Sequence, residues 1–257
     1  MRKISAMSRK KVKLLPVGHQ WIGWRWRADH WQRILLAVRL LAETGVSTAQ
    51  DLLRLLAAET GVSPNARSLR RLVYQSFADE QVSHMIVENR TLVLPGTGKF
   101  RLRVMWLSEY GKTLARDLGV EPVESDWEKI ARLHRGETQE QHAALVLMAA
   151  YQARLRGWTA EVVPFNPQET PWFQPDLKLT DPDGWVYYCE AESRSRVNPD
   201  KWARMRQVNL IMPTPNARLW MTQRLKTMGI PGRAADLRTL AQQAKAGTLN
   251  SFWLEKW

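Results

Sequence analysis

Three carboxylates in the second half of the chain have the types and spacing for phosphodiester chemistry. Pro175-Asp176 opens one strand candidate, PDLKLTD, and Glu190-Ala191-Glu192 closes the next, WVYYCEAE. Residues i and i+2 on a strand face the same side, so Glu190 and Glu192 project together. Between the strands, Asp181-Pro182-Asp183-Gly184 is a strong turn that returns Asp176 toward them. Carboxylate oxygens suit Mg²⁺, and metal-bound water is a nucleophile for phosphodiesters. The same acids also fit a solvated acidic edge, or ion pairs with Arg194 and Arg196. Other reactive types offer less. The histidines at 19, 30, 84, 134 and 142 have no metal-ligand spacing. Cys189 is the single cysteine, which excludes an internal disulfide and a Cys-cluster zinc site, and its apolar strand reads as core.

The elements that must position these acids read as an α/β region. TQEQHAALVLMAAYQARLRGW is helical and apolar over much of its surface, as for a helix buried against a sheet, and Gly157 stops it. TAEVVPF (Thr159–Phe165) is a further strand candidate. Asn198–Met212 reads as a helix with Pro199 in its first turn, and Asn216–Gln223 as a strand. The order is helix, three strands, helix, strand. A last helix spans Arg233–Ala246 after a Pro-Gly turn, and Phe252, Trp253 and Trp257 follow, either docked on the fold or forming a partner surface.

The first half has a different pattern. Trp31, Ile34, Leu35, Val38 and Leu41 recur at helical spacing up to Gly45. Ser47 is positioned to cap a second helix, with Leu52, Leu53, Leu55 and Leu56 as its apolar face and Gly61 at its end. Ser63 and Pro64 mark the start of a third, with Leu69, Leu72, Val73 and Phe77 inward. Its other side carries Asn65, Arg67, Ser68, Arg70, Arg71 and Gln75. Three short helices, the third basic on one face, match a helix-turn-helix. HMIVENRTLVL and KFRLRVMWL then flank Pro95–Gly98, a hairpin with a Gly-rich tip that reads as a wing, with Arg90, Lys99, Arg101 and Arg103 on or near it. Arginine suits such a surface because its fork contacts guanine edges or phosphates bidentately. A winged helix used only for protein contacts is the alternative.

Charge follows the same division. The chain has 257 residues and a formal net charge of +13. Residues 1–125 hold 20 basic and 11 acidic residues. Residues 1–27 form a basic tail with eight Lys/Arg, Lys10, Lys11 and Lys13 among them, and no acid. Such asymmetry favours a polyanion. Trp21, Trp24 and Trp26 interleave with Arg25 and Arg27, which suits stacking on bases or on a partner protein. No run of about 18 apolar residues exists, so no membrane span is expected, and the tail lacks the apolar stretch of a signal peptide. A cytoplasmic location follows as the expectation.

Two resemblances sharpen these readings. The helix–three-strand–helix–strand order, with Asp176, Glu190 and Glu192 at strand ends, resembles the PD-(D/E)xK nuclease-like fold. That resemblance implies an Asp and a Glu, here Asp176 and Glu190, holding a divalent metal. It also implies a Lys two residues after the Glu, where this chain has Glu192. Lys178, or Lys201 on the following helix, would have to supply the amine. The segment Leu107–Gly119 (LSEYGKTLARDLG), the Glu190/Glu192 pair after Pro175-Asp176 and His142 near the start of its helix resemble the replication-relaxation family over about residues 28–225. The expected organisation is a tail (1–27), a winged helix-turn-helix (28–120), a connector (121–136) and a nuclease-like α/β domain with a C-terminal helix (137–257).

Two functions fit. One is a duplex-DNA-binding protein of a mobile element or its replication, transcription or defence machinery. Its nuclease-like domain is then silent and serves assembly, with a protein partner or a second copy, and it needs no cofactor. The other is a Mg-dependent DNA endonuclease using Asp176 and Glu190. A third option is a component of a nucleoprotein complex docking through the terminal tryptophans.

Overall fold

The computed structural model describes residues 28–78, 85–94, 101–134, 140–164, 174–193, 202 and 205–257. Lys10, Lys11, Lys13, Lys99, Lys201, Arg194 and Arg196 lie outside the described residues, as do Trp21, Trp24 and Trp26. The described residues form a mixed α+β structure with eight α-helices and two sheets. None of the described helices is long and apolar enough to cross a membrane.

Helices α1 (Ala28–Thr44), α2 (Ala49–Thr60) and α3 (Arg67–Tyr74) pack through the apolar stripes expected of them, with Ile34, Leu52, Leu56, Leu69 and Leu72 fully buried. Two helix starts differ from expectation. Thr48, not Ser47, caps α2: its hydroxyl accepts from Asp51 N at 3.0 Å and donates to Asp51 Oδ2 at 2.9 Å. Ser47 Oγ instead accepts from Trp127 N at 2.8 Å. Helix α3 begins at Arg67, beyond the Ser63-Pro64 signal. Ser63 spends its hydroxyl on the Asn65 N–H (3.3 Å) and its carbonyl on the Ala66 N–H (2.9 Å), a local turn that competes with helix.

Strands β1 (Val87–Val93) and β2 (Arg101–Leu107) pair antiparallel, with Leu92 opposite Leu102 and Thr91 opposite Arg103. Alternation splits this hairpin between two cores. Val87, Met105 and Leu107 enter the core of α1–α3. Leu92, Leu94, Leu102 and Val104 enter a second core, built mainly by the later elements. The hairpin is therefore a shared wall rather than a free-standing arm.

Helix α4 (Glu109–Asp117) follows β2 through the Leu-Ser-x-x-Gly segment. Ser108 Oγ accepts from Gly111 N at 3.0 Å, and Ser108 N donates to Ile86 O at 3.1 Å. A Cβ on Gly111 would sit 2.0 Å from that same carbonyl oxygen. The serine caps and the glycine admits the backbone, so this segment has a structural explanation of its own.

Helices α5 (Asp126–His134) and α6 (Glu140–Leu155) lead to a six-stranded sheet in chain order. Strands β3 (Thr159–Val162), β4 (Leu177–Thr180) and β5 (Val186–Ala191) form an antiparallel meander. Strands β6 (Val208–Met212) and β7 (Gly232–Asp236) run parallel to β5, and β8 (Glu255–Lys256) closes antiparallel. α6, buried along most of its length, packs against the strands as its composition requires.

Three expected elements are corrected. Asn216–Gln223 lies within a helix, α7 (Pro215–Thr227). Thr214 Oγ1 caps it through the Ala217 N–H (3.3 Å), Pro215 sits in its first turn, and Met221 and Leu225 are buried one turn apart. The residues of the expected Asn198–Met212 helix end in strand β6, where Val208, Leu210 and Ile211 are buried between two parallel neighbours. The expected Arg233–Ala246 helix starts at Leu237, as α8 (Leu237–Lys245), because Gly232–Asp236 is a strand. Alanine and arginine favour helix, yet β7 is an inner strand covered on both faces. Ala235 meets the core under α6, and Ala234 the core under α7. At Gly232 a Cβ would lie 2.5 Å from Val208 O and 2.7 Å from the Trp257 ring.

The terminal aromatics are docked. Phe252 is fully buried, Trp253 packs edge-on against Tyr187 (5.5 Å between centroids), and Trp257 Nε1 donates to Ile230 O at 2.7 Å. One largely buried side chain ties the two halves together. Arg154, from the end of α6, donates to Asp51 of α2 (3.2 Å), Asp126 of α5 (2.7 Å) and the Ala160 carbonyl of β3 (3.0 Å).

Candidate functional site

The acids singled out by the sequence converge. Asp176 immediately precedes β4, and its backbone is fixed on both sides: its N–H donates to Cys189 O (3.0 Å) and its carbonyl accepts from Val163 N (2.8 Å). Its side chain extends the ladder where β4 has not begun, Oδ2 accepting from Ala191 N at 2.8 Å. Oδ1 lies 2.9 Å from Nε2 of His142, in the first turns of α6. Glu190 is buried near the end of β5, and Glu192 is half-buried just beyond it.

His142 registers how close these groups are. Burial pulls its pKa down, but the hydrogen bond and charge of Asp176, joined by the charges of Glu190 and Glu192, outweigh burial and hold it above the usual 6.5. The three acids therefore share an electrostatic neighbourhood with one imidazole. His142 as the partner of Asp176 was not legible from spacing, since 34 residues separate them.

Lys178 lies on β4 opposite Tyr188, its ammonium 5.9 Å from the centroid of that ring. Cys189 is fully buried, and burial, with Asp176 and Glu190 nearby, pushes its thiol well above the usual range. It sits in the core, where burial disfavours the thiolate.

Both carboxylate oxygens of Asp176 are engaged, by His142 and by the Ala191 N–H. Among the described residues no three His, Cys, Asp or Glu side chains are grouped to hold a metal ion.

Val163, which hydrogen-bonds the Asp176 carbonyl, has a φ of +47°. A β-branched residue in the left-handed region is strained, by about 1–3 kcal/mol, and such strain concentrates at functional sites.

The basic candidates form a second surface. Asn65, Arg67, Ser68, Arg70, Arg71 and Gln75 are all exposed, while Leu69, Leu72 and Val73 of α3 are buried. Arg103 Nη1 donates to Tyr74 O at 2.9 Å, which places the Arg103 side of the hairpin against α3. Arg101, two residues away on the same face, is exposed. Arg90 projects from the opposite face, pairs with Glu140 and lies over the Trp127 ring at 5.9 Å. It is thus part of the joint with α6 and not of the basic surface. Tyr74 was also missed by sequence reading, because a half-buried tyrosine at a helix end carries no signal. Comparison with protein-family models, curated proteins and solved structures finds no match to this chain.

Proposed function

We propose that this chain is a duplex-DNA-binding protein of a mobile element or its replication, transcription or defence machinery, akin to the replication-relaxation family. A winged helix contacts DNA, and a nuclease-like domain serves assembly without cutting. The observation that carries this reading is the exposed polar and basic face of α3, with Arg101 and Arg103 on the hairpin face turned toward it. A recognition helix beside a basic hairpin is a common docking arrangement for duplex DNA. The order of α6, the β3–β5 meander and a parallel β6 supports the nuclease-like reading. The engagement of Asp176 by His142, with Glu192 where an active nuclease has Lys, supports silence.

The test is a titration of the full chain into a fluorescent duplex between about 50 and 200 mM salt. Phosphate contacts release counterions, so log K should fall linearly with log salt. Weak binding indifferent to salt overturns the proposal. The convergence of Asp176, Glu190 and Glu192 favours an endonuclease as the second reading. Plasmid incubated with Mg²⁺ or Mn²⁺ separates the two. Cleavage abolished by Asp176→Ala and by Glu190→Ala would replace assembly with catalysis.

A further inference from the structure

Tyr74 ends α3 with two arginine guanidinium groups over its ring. The Arg70 guanidinium lies 5.8 Å from the ring centroid and that of Arg103 lies 5.6 Å from it. Arg70 is one helical turn back on α3, and Arg103 comes from β2, anchored by the 2.9 Å bond from Nη1 to the Tyr74 carbonyl. That bond uses one of five guanidinium N–H donors. Burial raises the Tyr74 pKa, and Arg70 and Arg103 pull against it, so both cations sense the ring.

Several arginines elsewhere in the fold are matched by acids, although Arg156 is held by carbonyl and amide oxygens instead. Arg39 pairs with Glu43, Arg90 with Glu140, Arg116 with Glu121, and Arg132 with Glu124. No carboxylate among the described residues pairs with Arg70 or Arg103, nor with Arg67 or Arg71 beside them. Two guanidinium groups gathered on one ring, with no pairing carboxylate among the described residues, repel each other, and an anion between them relieves that repulsion. The planar fork of each matches phosphate oxygens.

We infer that Arg70 and Arg103, held by Tyr74, form a clamp for one backbone phosphate of duplex DNA, fixing the entry of α3 independently of base sequence. This rests on the DNA-binding reading above and adds to it one phosphate contact and its residues. Backbone contacts of this kind set register and orientation, while base edges carry the sequence information.

The experiment measures affinity of the full chain for two duplexes of unrelated sequence across a salt series. The variants are Arg70→Ala, Arg70→Lys, Arg103→Lys and Arg39→Ala, each checked for an unchanged thermal transition. Arg70→Ala should weaken both duplexes by roughly tenfold and lower the salt slope by about 1. Arg70→Lys should keep most of the slope, Arg103→Lys should lose affinity while still folded, and Arg39→Ala should change neither quantity. If the wild type binds with a steep salt slope but Arg70→Ala leaves affinity and slope intact, the clamp is wrong and the DNA-binding reading stands. If Arg70→Ala weakens only one of the duplexes, Arg70 reads bases and the phosphate assignment is overturned. A wild type that shows no salt-dependent duplex binding overturns both.

Discussion

Arg154 and Arg70 each lie beside structural neighbours that define a region, and the fold treats the two guanidinium groups in opposite ways. Arg154 is largely buried and donates to two carboxylates and a carbonyl from three elements. Arg70 is exposed and lies over an aromatic ring. One arginine is matched beyond neutrality, since two acids share its single charge; the other pairs with no acid among the described residues. The net charge of +13 therefore says little until each cation is assigned a partner. Arg154 at the joint holds α2, α5 and α6 together, whereas the arginines on the α3 face pair with no carboxylate among the described residues.

The comparison is broken most forcefully at Arg154. Arg154→Met should leave Asp51 and Asp126 buried without a cation, at a cost of about 3–5 kcal/mol. Urea denaturation should show a large fall in midpoint; a shift below about 1 kcal/mol would mean the joint is held by packing alone.

The acid site should respond next. Asp176→Ala removes the acceptor of the Ala191 N–H and the partner of His142, and should cost about 1–3 kcal/mol. Its pH dependence has a definite sign. The folded pKa of His142 lies above 6.5, so the stabilisation it carries is complete below about 6.5 and fades as pH rises through the folded value. The gap between wild type and Asp176→Ala, followed by urea midpoints from pH 5 to 9, should narrow toward high pH. A gap that widens would place the effect elsewhere.

A milder change tests the excess of acid at the joint. Burial raises the pKa of Asp126 and of Asp51, and Arg154 offsets it only in part. A carboxyl with a raised folded pKa contributes stability in full below its unfolded value, about 3.8, and loses it as pH rises through the folded one. Asp126→Asn retains an acceptor for Arg154 and removes the surplus charge. It should cost about 1 kcal/mol at acid pH and less as pH rises; urea midpoints of the two proteins between pH 4 and 8 measure this.

The helical stripes of α1–α3, the hairpin and the β3–β5 meander were legible because each is decided locally, by period, cap and turn. The carboxylate group was legible because strand alternation and one turn bring Asp176, Glu190 and Glu192 together. Illegible features all depend on what lies across the fold. Gly232–Asp236 is a strand only because two cores leave room for alanine on either face. Val208–Met212 follows a helical pattern in sequence but is recruited between β5 and β7. His142 and Arg154, on one helix, acquire their meaning from partners 34 and 103 residues away.

The smallest stability effect is the one that sharpens the comparison most. Arg70 is exposed, forms no ion pair with a described carboxylate, and gains only a cation–π contact with Tyr74. Such contacts contribute about 0.5–1 kcal/mol at exposed sites, and removing one cation from an uncompensated pair relieves repulsion of the opposite sign. Arg70→Ala should therefore shift stability by less than about 0.5 kcal/mol, as for surface substitutions generally. Its effect on duplex binding should be far larger. Arg154→Met should show the reverse ranking when duplex affinity is measured under conditions where it remains folded, because no donor of Arg154 faces a ligand. An Arg70→Ala chain destabilised as much as Arg154→Met would mean that the α3 arginines also hold the fold, and the division between joint and face would fall.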